Sequence, residues 1–283
     1  MNHLFVDNLT VIDFAYLDAS RGLVGESWIV DVVLGGELDD QGMVFDFSNV
    51  KRTIKRVIDE RVDHRLVIPR AYKGLEWNED EPDSFTWHLT DGTRILHRSP
   101  DQAVVWLSSD RVVPSAVARL LEQELRAVLP ANVTDVDIEL REDVIEGAYY
   151  HYVHGLKKHM GNCQRIAHGH RSPIRIDRNE HRDRDLENQW AKRWQDIYVG
   201  SEEDVTQRWV AEDGTAYVTF EYEANQGEFA LTLPESRVYM LDSDTTVELI
   251  AAHIAGQLKS EFPEDAIRVK AYEGVGKGAI ASR

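Results

Sequence analysis

The sequence has a single cysteine among its 283 residues, so no internal disulfide can form, and a reducing compartment, the cytoplasm, is expected. It also lacks any run of 18 apolar residues, and its mean hydropathy is −0.41; a membrane-spanning helix is not expected. The opening Met-Asn-His-Leu-Phe-Val-Asp does not have the basic and then apolar profile of a secretory signal. Positive charge is scarce, with 32 Lys and Arg against 50 Asp and Glu, a formal net charge of −18. Phosphate backbones require clustered cations, so neither nucleic acid nor a membrane is expected as a partner. No low-complexity or linker segment interrupts the chain. What remains is a 42% hydrophobic chain, long enough for one large domain or two of about 140 residues.

One local exception to the negative charge stands out. Between His151 and Arg178 lie Lys157, Lys158, Arg165, Arg171, Arg175 and Arg178, opposed in sequence only by Asp177. Ordinary surface charge is the plain alternative. The overlap with a group of histidines favours an anionic small molecule instead.

The chain reads as one pattern used twice. Asp91-Gly92-Thr93 and the 99–107 segment in the first half answer to Asp213-Gly214-Thr215 and the 233–241 segment in the second. Each is followed by a stretch of helical periodicity, 114–129 and 246–262, then by a strand, 136–140 and 267–271. Glu142-x-Val144-x-x-Gly147-Ala148 recurs as Glu273-x-Val275-x-x-Gly278-Ala279. Earlier in the first half, 28–34 reads as a strand, 39–42 as a turn, 43–47 as the returning strand, and Ser48 as the N-cap of a helix through Val57 and Ile58. The second half offers a strand at 173–176 and an amphipathic segment at 186–198. The expectation is an α+β unit used twice, with domains 1–147 and 148–283 packed closely.

Chemistry gathers in the second half. His168-Gly169-His170 puts two imidazoles at i and i+2, which share one face of a strand. His154, brought alongside by a neighbouring antiparallel strand, completes three nitrogens with one open position, the donor set of a catalytic zinc site. His151 and His159 are alternative third ligands, and Fe(II), Ni(II) or Co(II) alternative ions. Cys163, in Gly161-Asn162-Cys163-Gln164-Arg165, has cations nearby that favour a thiolate able to act as base or nucleophile; a buried structural thiol is the plainer reading. In the first half, Asp63-His64 is either a proton relay, the carboxylate setting the imidazole tautomer, or an exposed pair at a helix end. Gly274-Val275-Gly276-Lys277-Gly278 has neither the spacing nor the Ser/Thr of a phosphate-binding loop.

Together, His154, Gly161-Asn162-Cys163, His168-Gly169-His170 and Glu273 resemble the 6-pyruvoyl-tetrahydropterin and 6-carboxytetrahydropterin synthase family. Gly42-Met43-Val44-Phe45-Asp46-Phe47 and Asp63-His64 add to the likeness, which covers most of the chain as two copies of the family unit. The resemblance implies two tandem tunnelling-fold (T-fold) units, antiparallel sheets with helices on one face, joined with further copies in a homo-oligomer. It implies Zn2+ on His154, His168 and His170, catalytic Cys163 with Asp63 and His64, and Glu273 anchoring a pterin. The implied substrate is 7,8-dihydroneopterin triphosphate. The implied product is 6-carboxy-5,6,7,8-tetrahydropterin for queuosine synthesis. Asp18, Val24 and Glu26 stand where the first copy would carry zinc ligands, so that copy is expected to hold none, and one complete site requires both halves. Two departures border the substrate region: Arg171-Ser172-Pro173 after the histidines, and Arg65 to Pro69 where the family carries an asparagine. A cyclohydrolase-like hydrolase and a non-catalytic pterin-binding protein are the competing readings.

Overall fold

Residues 2–36 make one long antiparallel hairpin, β1 (Asn2–Asp18) and β2 (Gly22–Gly36). Alternating β-branched and aromatic residues favour the extended chain, and Asp18 Oδ1 closes the turn by accepting from the Ser20 and Arg21 amides at 2.8 Å each. The computed structural model describes residues 2–77, 80, 81 and 83–283. After the hairpin come α1 (Phe47–Arg61), β3 (Leu66–Pro69), β4 (Leu75–Trp77), β5 (Ser84–His88), β6 (Arg94–Arg98), β7 (Val104–Leu107), α2 (Pro114–Arg126) and β8 (Val133–Glu142). The second half continues with β9 (Tyr149–His154), β10 (His168–Arg178), the short β11 (His181–Arg182), α3 (Arg184–Arg193) and β12 (Ile197–Ser201). It ends with β13 (Val205–Val210), β14 (Ala216–Ala224), β15 (Gly227–Pro234), β16 (Val238–Leu241), α4 (Val247–Glu261), β17 (Ile267–Tyr272) and β18 (Gly278–Ser282).

Two sheets repeat one strand order. The first runs β7-β3-β1-β2-β8, the second β16-β12-β9-β10-β17 with β18 added at its edge. Each carries a helix pair on one face. Val50, Ile54, Val57 and Ile58 of α1, with Val117, Leu121 and Leu125 of α2, bury against Phe14, Val30 and Val32. Their three- and four-residue spacing is what places them on one stripe. Leu186 and Trp190 of α3, with Ile250, Ile254 and Leu258 of α4, do the same against Ile174, Ile176 and Val269.

A third sheet ties the halves together. Its order, β13-β14-β15-β6-β5-β4, is palindromic, with β15 of one half bonded to β6 of the other. Phe85, Trp87 and Ile95 share a core beneath it with Val218, Phe220 and Leu231. The main sheets also cross closely: a Cβ on Gly169 would stand 2.6 Å from the Gly25 Cα, and one on Gly25 would stand 1.9 Å from the Tyr152 carbonyl oxygen.

Three local expectations are corrected. Residues 43–46 form no strand; β2 finds its hairpin partner in the preceding β1, whose alternation the 28–34 reading does not extend back to. The cap of α1 is Asp46, whose Oδ1 accepts from the Ser48 and Asn49 amides at 3.0 and 3.1 Å. The two Asp-Gly-Thr turns are chemically alike, each Asp Oδ1 accepting from the Thr amide at 2.9 Å. They do not occupy equivalent places, however. The first joins β5 to β6 and the second joins β13 to β14, whereas the palindrome matches β4 with β13 and β5 with β14.

Candidate active site

Antiparallel pairing of β9 with β10 sets His168 opposite His154 and His170 opposite Tyr152. The donor nitrogens of His154, His168 and His170 lie within 4.8 Å of one another, and all three rings are buried. Each outward nitrogen faces an oxygen. His154 Nδ1 is 2.9 Å from the Thr245 carbonyl, His168 Nδ1 is 3.0 Å from the Arg165 carbonyl, and His170 Nδ1 is 3.2 Å from Asp13 Oδ1. The two carbonyls fix the proton on Nδ1 of His154 and His168 and leave Nε2 as a lone pair, whereas His170 Nδ1 meets Asp13 at ion-pair distance without a hydrogen bond. His154 Nε2 and His170 Nε2 approach to 3.3 Å, and His168 Nε2 is buried with no hydrogen-bond partner. Burial first, then neighbouring imidazoles, holds His154 and His168 well below the ordinary histidine range. Converging imidazole nitrogens, with His154 and His168 held neutral by burial, suit a divalent ion, and the set matches three nitrogens and an open position.

The alternative third ligands point elsewhere. His151 turns its Nδ1 to the Gly25 carbonyl at 2.7 Å, and His159 sits exposed, its Nδ1 accepting from the Gly161 amide at 2.9 Å.

Asp63 and His64 reach this centre from the other half. His64 follows α1 in the left-handed conformation, φ 55°, which turns its ring back toward β10. His64, Cys163 and His168 place their donor atoms within 4.8 Å of one another. Asp63 Oδ2 lies 2.6 Å from His64 Nδ1, while Asp63 Oδ1 accepts from the Asp13 amide at 2.9 Å. Burial lowers the affinity of His64 for a proton, but hydrogen bonds to Asp63 and Cys163 overcome it and raise the imidazolium pKa to about 10. Cys163 is partly exposed in a short 3-10 turn, and Arg165 NH1 clamps that loop to the His64 carbonyl at 3.3 Å.

Glu273 directly follows β17, with Oε1 3.9 Å from His170 Nε2. Gly274 turns the chain with φ +74°, and a Cβ there would collide with Asp13 Oδ1 at 2.2 Å. Asp13, Ser27 and Lys277 are additions that the sequence does not announce as site residues. Asp13 is buried; burial pushes its carboxyl up, yet His170, Lys277 and Ser27 hold it well below the usual carboxylate range. Lys277 Nζ reaches it at 3.0 Å and Ser27 Oγ donates to it at 2.6 Å. Only Lys277, inside the Gly-rich turn, carries a sequence signal.

Most of the basic island is neutralised on folding, while Arg165 stays buried at the site, bonded to Gln226 and the His64 carbonyl. Lys157 pairs with Asp204 and Glu203, Lys158 with Asp244, Arg171 with Glu142, Arg175 with Asp177, and Arg178 with Asp265. Apart from Asp177, these acids are remote in sequence and adjacent in space.

Register also revises the counterpart of the metal centre in the first half. Val24 pairs with Tyr16 as His168 pairs with His154, while Asp18 pairs with Gly22 at the turn. Tyr16, Val24 and Glu26, rather than Asp18, Val24 and Glu26, therefore stand in the histidine positions. Gln195-Asp196 stands at the counterpart of Asp63-His64, with Asp196 at φ 55°.

Residues 15–150 match the model of a family described as 6-pyruvoyl tetrahydropterin synthase. The match covers just under half of the chain. It contains Asp63-His64 and stops before the three histidines, which lie in the half that repeats its strand order. Among curated proteins, one from Pyrococcus horikoshii, provisionally named 6-carboxy-5,6,7,8-tetrahydropterin synthase, is 22% identical over 137 residues, 48% of this chain and 79% of the relative. A protein of the same provisional name from Methanocaldococcus jannaschii is 25% identical over 132 residues, 44% of this chain and 77% of the relative. Among solved structures, the 6-pyruvoyl tetrahydropterin synthase of Plasmodium vivax aligns with 50% of this chain and 97% of its own, at 19% identity and a TM-score of 0.39. The fold is α+β, with two sheets of one strand order that each carry helices on one face.

Proposed function

We propose that the chain is a pterin synthase, a lyase made of two tandem T-fold units, 1–147 and 148–283, with one complete zinc site built from both. The observation that carries this reading is the meeting of Asp63-His64 from the first half with Cys163 and three convergent imidazoles from the second. The substrate is 7,8-dihydroneopterin triphosphate, and the product 6-carboxy-5,6,7,8-tetrahydropterin for queuosine synthesis in the cytoplasm. The provisional names of the archaeal relatives support that choice over the 6-pyruvoyl product.

His154, His168 and His170 would hold Zn2+, which when bound supplies a Lewis acid that acidifies substrate hydroxyls. Glu273, beside His170 and directly after β17, accepts hydrogen bonds from the pterin amide and amino groups and orients the side chain. Cys163 removes a side-chain proton, and His64, oriented by Asp63 at 2.6 Å, passes protons to and from it. Asp13, buried between His170 and the half-exposed Lys277, backs the site and faces His170 Nδ1 at 3.2 Å. Further copies of the chain join it in a homo-oligomer.

The test is incubation with 7,8-dihydroneopterin triphosphate, followed by mass analysis of the pterin and assay of released triphosphate. Elimination liberates triphosphate, and the carboxy product, which keeps a single side-chain carbon, also releases a two-carbon fragment; a cyclohydrolase-like enzyme would open a ring and leave the triphosphate attached. Cys163→Ala should cut turnover by at least about 100-fold with metal content unchanged. A protein that merely holds pterins would lose nothing.

A further inference from the structure

The internal repeat leaves a second crevice at the place where the first half would carry its own metal centre. It has a volume of about 610 Å³, and Tyr16, Glu26, Trp28, Glu142, His151 and Arg171 line it. Tyr16 and Glu26 hold the register positions of His154 and His170, and Glu142 holds that of Glu273, since Trp28 pairs with Glu142 on β8. Imidazole lone pairs have been replaced by hydrogen-bond donors. The Trp28 indole N–H is buried with no partner. Glu26 is 3% exposed, and burial raises its carboxyl to about 8, so at neutral pH it carries a proton. Its Oε1 takes the Ser27 amide at 2.9 Å, and its Oε2 stands 3.8 Å from His151 Nδ1, a nitrogen already committed to the Gly25 carbonyl. The Tyr16 hydroxyl adds a further polar group.

Two arginines line this crevice: Arg21, which donates to the Tyr16 hydroxyl at 3.0 Å and is paired with Asp196 at 2.6 Å, and Arg171, whose counter-ion is the more exposed. Arg171 is 7% exposed, stacked 4.3 Å over the Tyr149 ring and held by the Asp143 carbonyl at 2.9 Å. The carboxylate paired with it is Glu142, at 3.3 Å and with a side chain 57% exposed. A buried guanidinium with a loosely held, solvent-facing counter-ion can exchange that counter-ion for a ligand carboxylate at modest cost.

We propose that this crevice is a second, metal-free ligand site for a small planar carboxylate, whose anionic end displaces Glu142 from Arg171 and whose ring edge meets the Trp28 indole N–H beside Glu26. The site does not depend on the pterin reading, because its donors, its cation and its exchangeable counter-ion lie outside the histidine centre.

The test is calorimetric titration of the full chain at pH 7 with quinoline-3-carboxylate, and with quinoline-3-carboxamide as the uncharged comparator. The carboxylate should bind one per chain, at least about tenfold more tightly than the amide. Glu142→Gln, an exposed change that removes the competing anion, should tighten binding severalfold, and Trp28→Phe should weaken it severalfold. His168→Ala should leave it unchanged. Absence of carboxylate binding at millimolar concentration, equal binding of the amide, or indifference to Glu142→Gln would each overturn the proposal. Loss of binding in His168→Ala would move the ligand to the histidine centre and overturn it as well. Failure of pterin turnover would leave these outcomes untouched.

Discussion

Gly25 lies where the two main sheets cross, and replacing it with alanine tests whether that crossing builds the site. A Cβ at this position would stand 1.9 Å from the Tyr152 carbonyl oxygen and 2.6 Å from the His170 amide nitrogen. Both neighbours are backbone within the β9–β10 pair, so no side chain can rotate away. Relief requires the sheets to separate by more than 1 Å, roughly the shortfall from a carbon–oxygen contact of about 3.3 Å. Overpacking usually costs 1–3 kcal/mol, and a collision with two backbone atoms belongs at the upper end, about 3 kcal/mol or more. The same shift would draw Asp63-His64 away from Cys163, and a misplacement of about 1 Å can cost on the order of 100-fold in turnover. Gly256 is the internal control. It lies inside α4 with nothing within 4 Å of the Cβ that alanine would add, so alanine there should stabilise by about 1 kcal/mol through helix propensity. Urea unfolding followed by tryptophan fluorescence reads both variants. A Gly25→Ala protein within about 0.5 kcal/mol of wild type, with full turnover, would refute the role assigned to the crossing.

Other consequences are equally direct. His168→Ala and His170→Ala should each reduce bound divalent metal well below one per chain by elemental analysis, whereas His159→Ala, in the exposed loop, should retain it. His64→Gln should lower kcat by about 100-fold without loss of metal, since His64 meets Cys163 and lies outside the set of His154, His168 and His170. His97 is fully buried beneath the shared sheet, and burial depresses its pKa from 6.5 to about 3. The unfolded chain therefore binds a proton that the folded chain refuses, so stability falls as pH drops from about 6.5 toward 3, by up to ~5 kcal/mol from this group. His97→Phe should flatten that part of the pH dependence of the urea midpoint; an unchanged slope would show that His97 takes up its proton without unfolding.

Much of the fold can be read locally. The four long helices follow apolar spacing, as in Val117, Leu121 and Leu125, and α4 is capped at Thr246 where the periodicity begins. The strands at the ends of both halves are legible because alternation is a short-range signal. Errors arise where a partner is distant or a motif recurs out of place. A return strand at 43–47 follows from neighbourhood alone, whereas the true partner β1 precedes β2. The Asp-Gly-Thr turns match as words and differ as positions, since a turn motif reports local geometry and not which hairpin it closes.

The sequence by itself determined the chemistry available: one thiol, a His-Gly-His strand segment, an Asp-His pair and a terminal glutamate. Side-chain type and i, i+2 spacing are local properties, and a strand converts them directly into a shared face. Tertiary structure alone decided which groups meet. Packing of Gly25 on Gly169 and the shared six-stranded sheet bring His64 to Cys163 across about a hundred residues. Folding also recruited Asp13 and Lys277 beneath His170, and paired Lys157, Lys158 and Arg178 of the basic island with acids far along the chain. Such pairings depend on register and on the crossing of two sheets, which no window of the sequence contains.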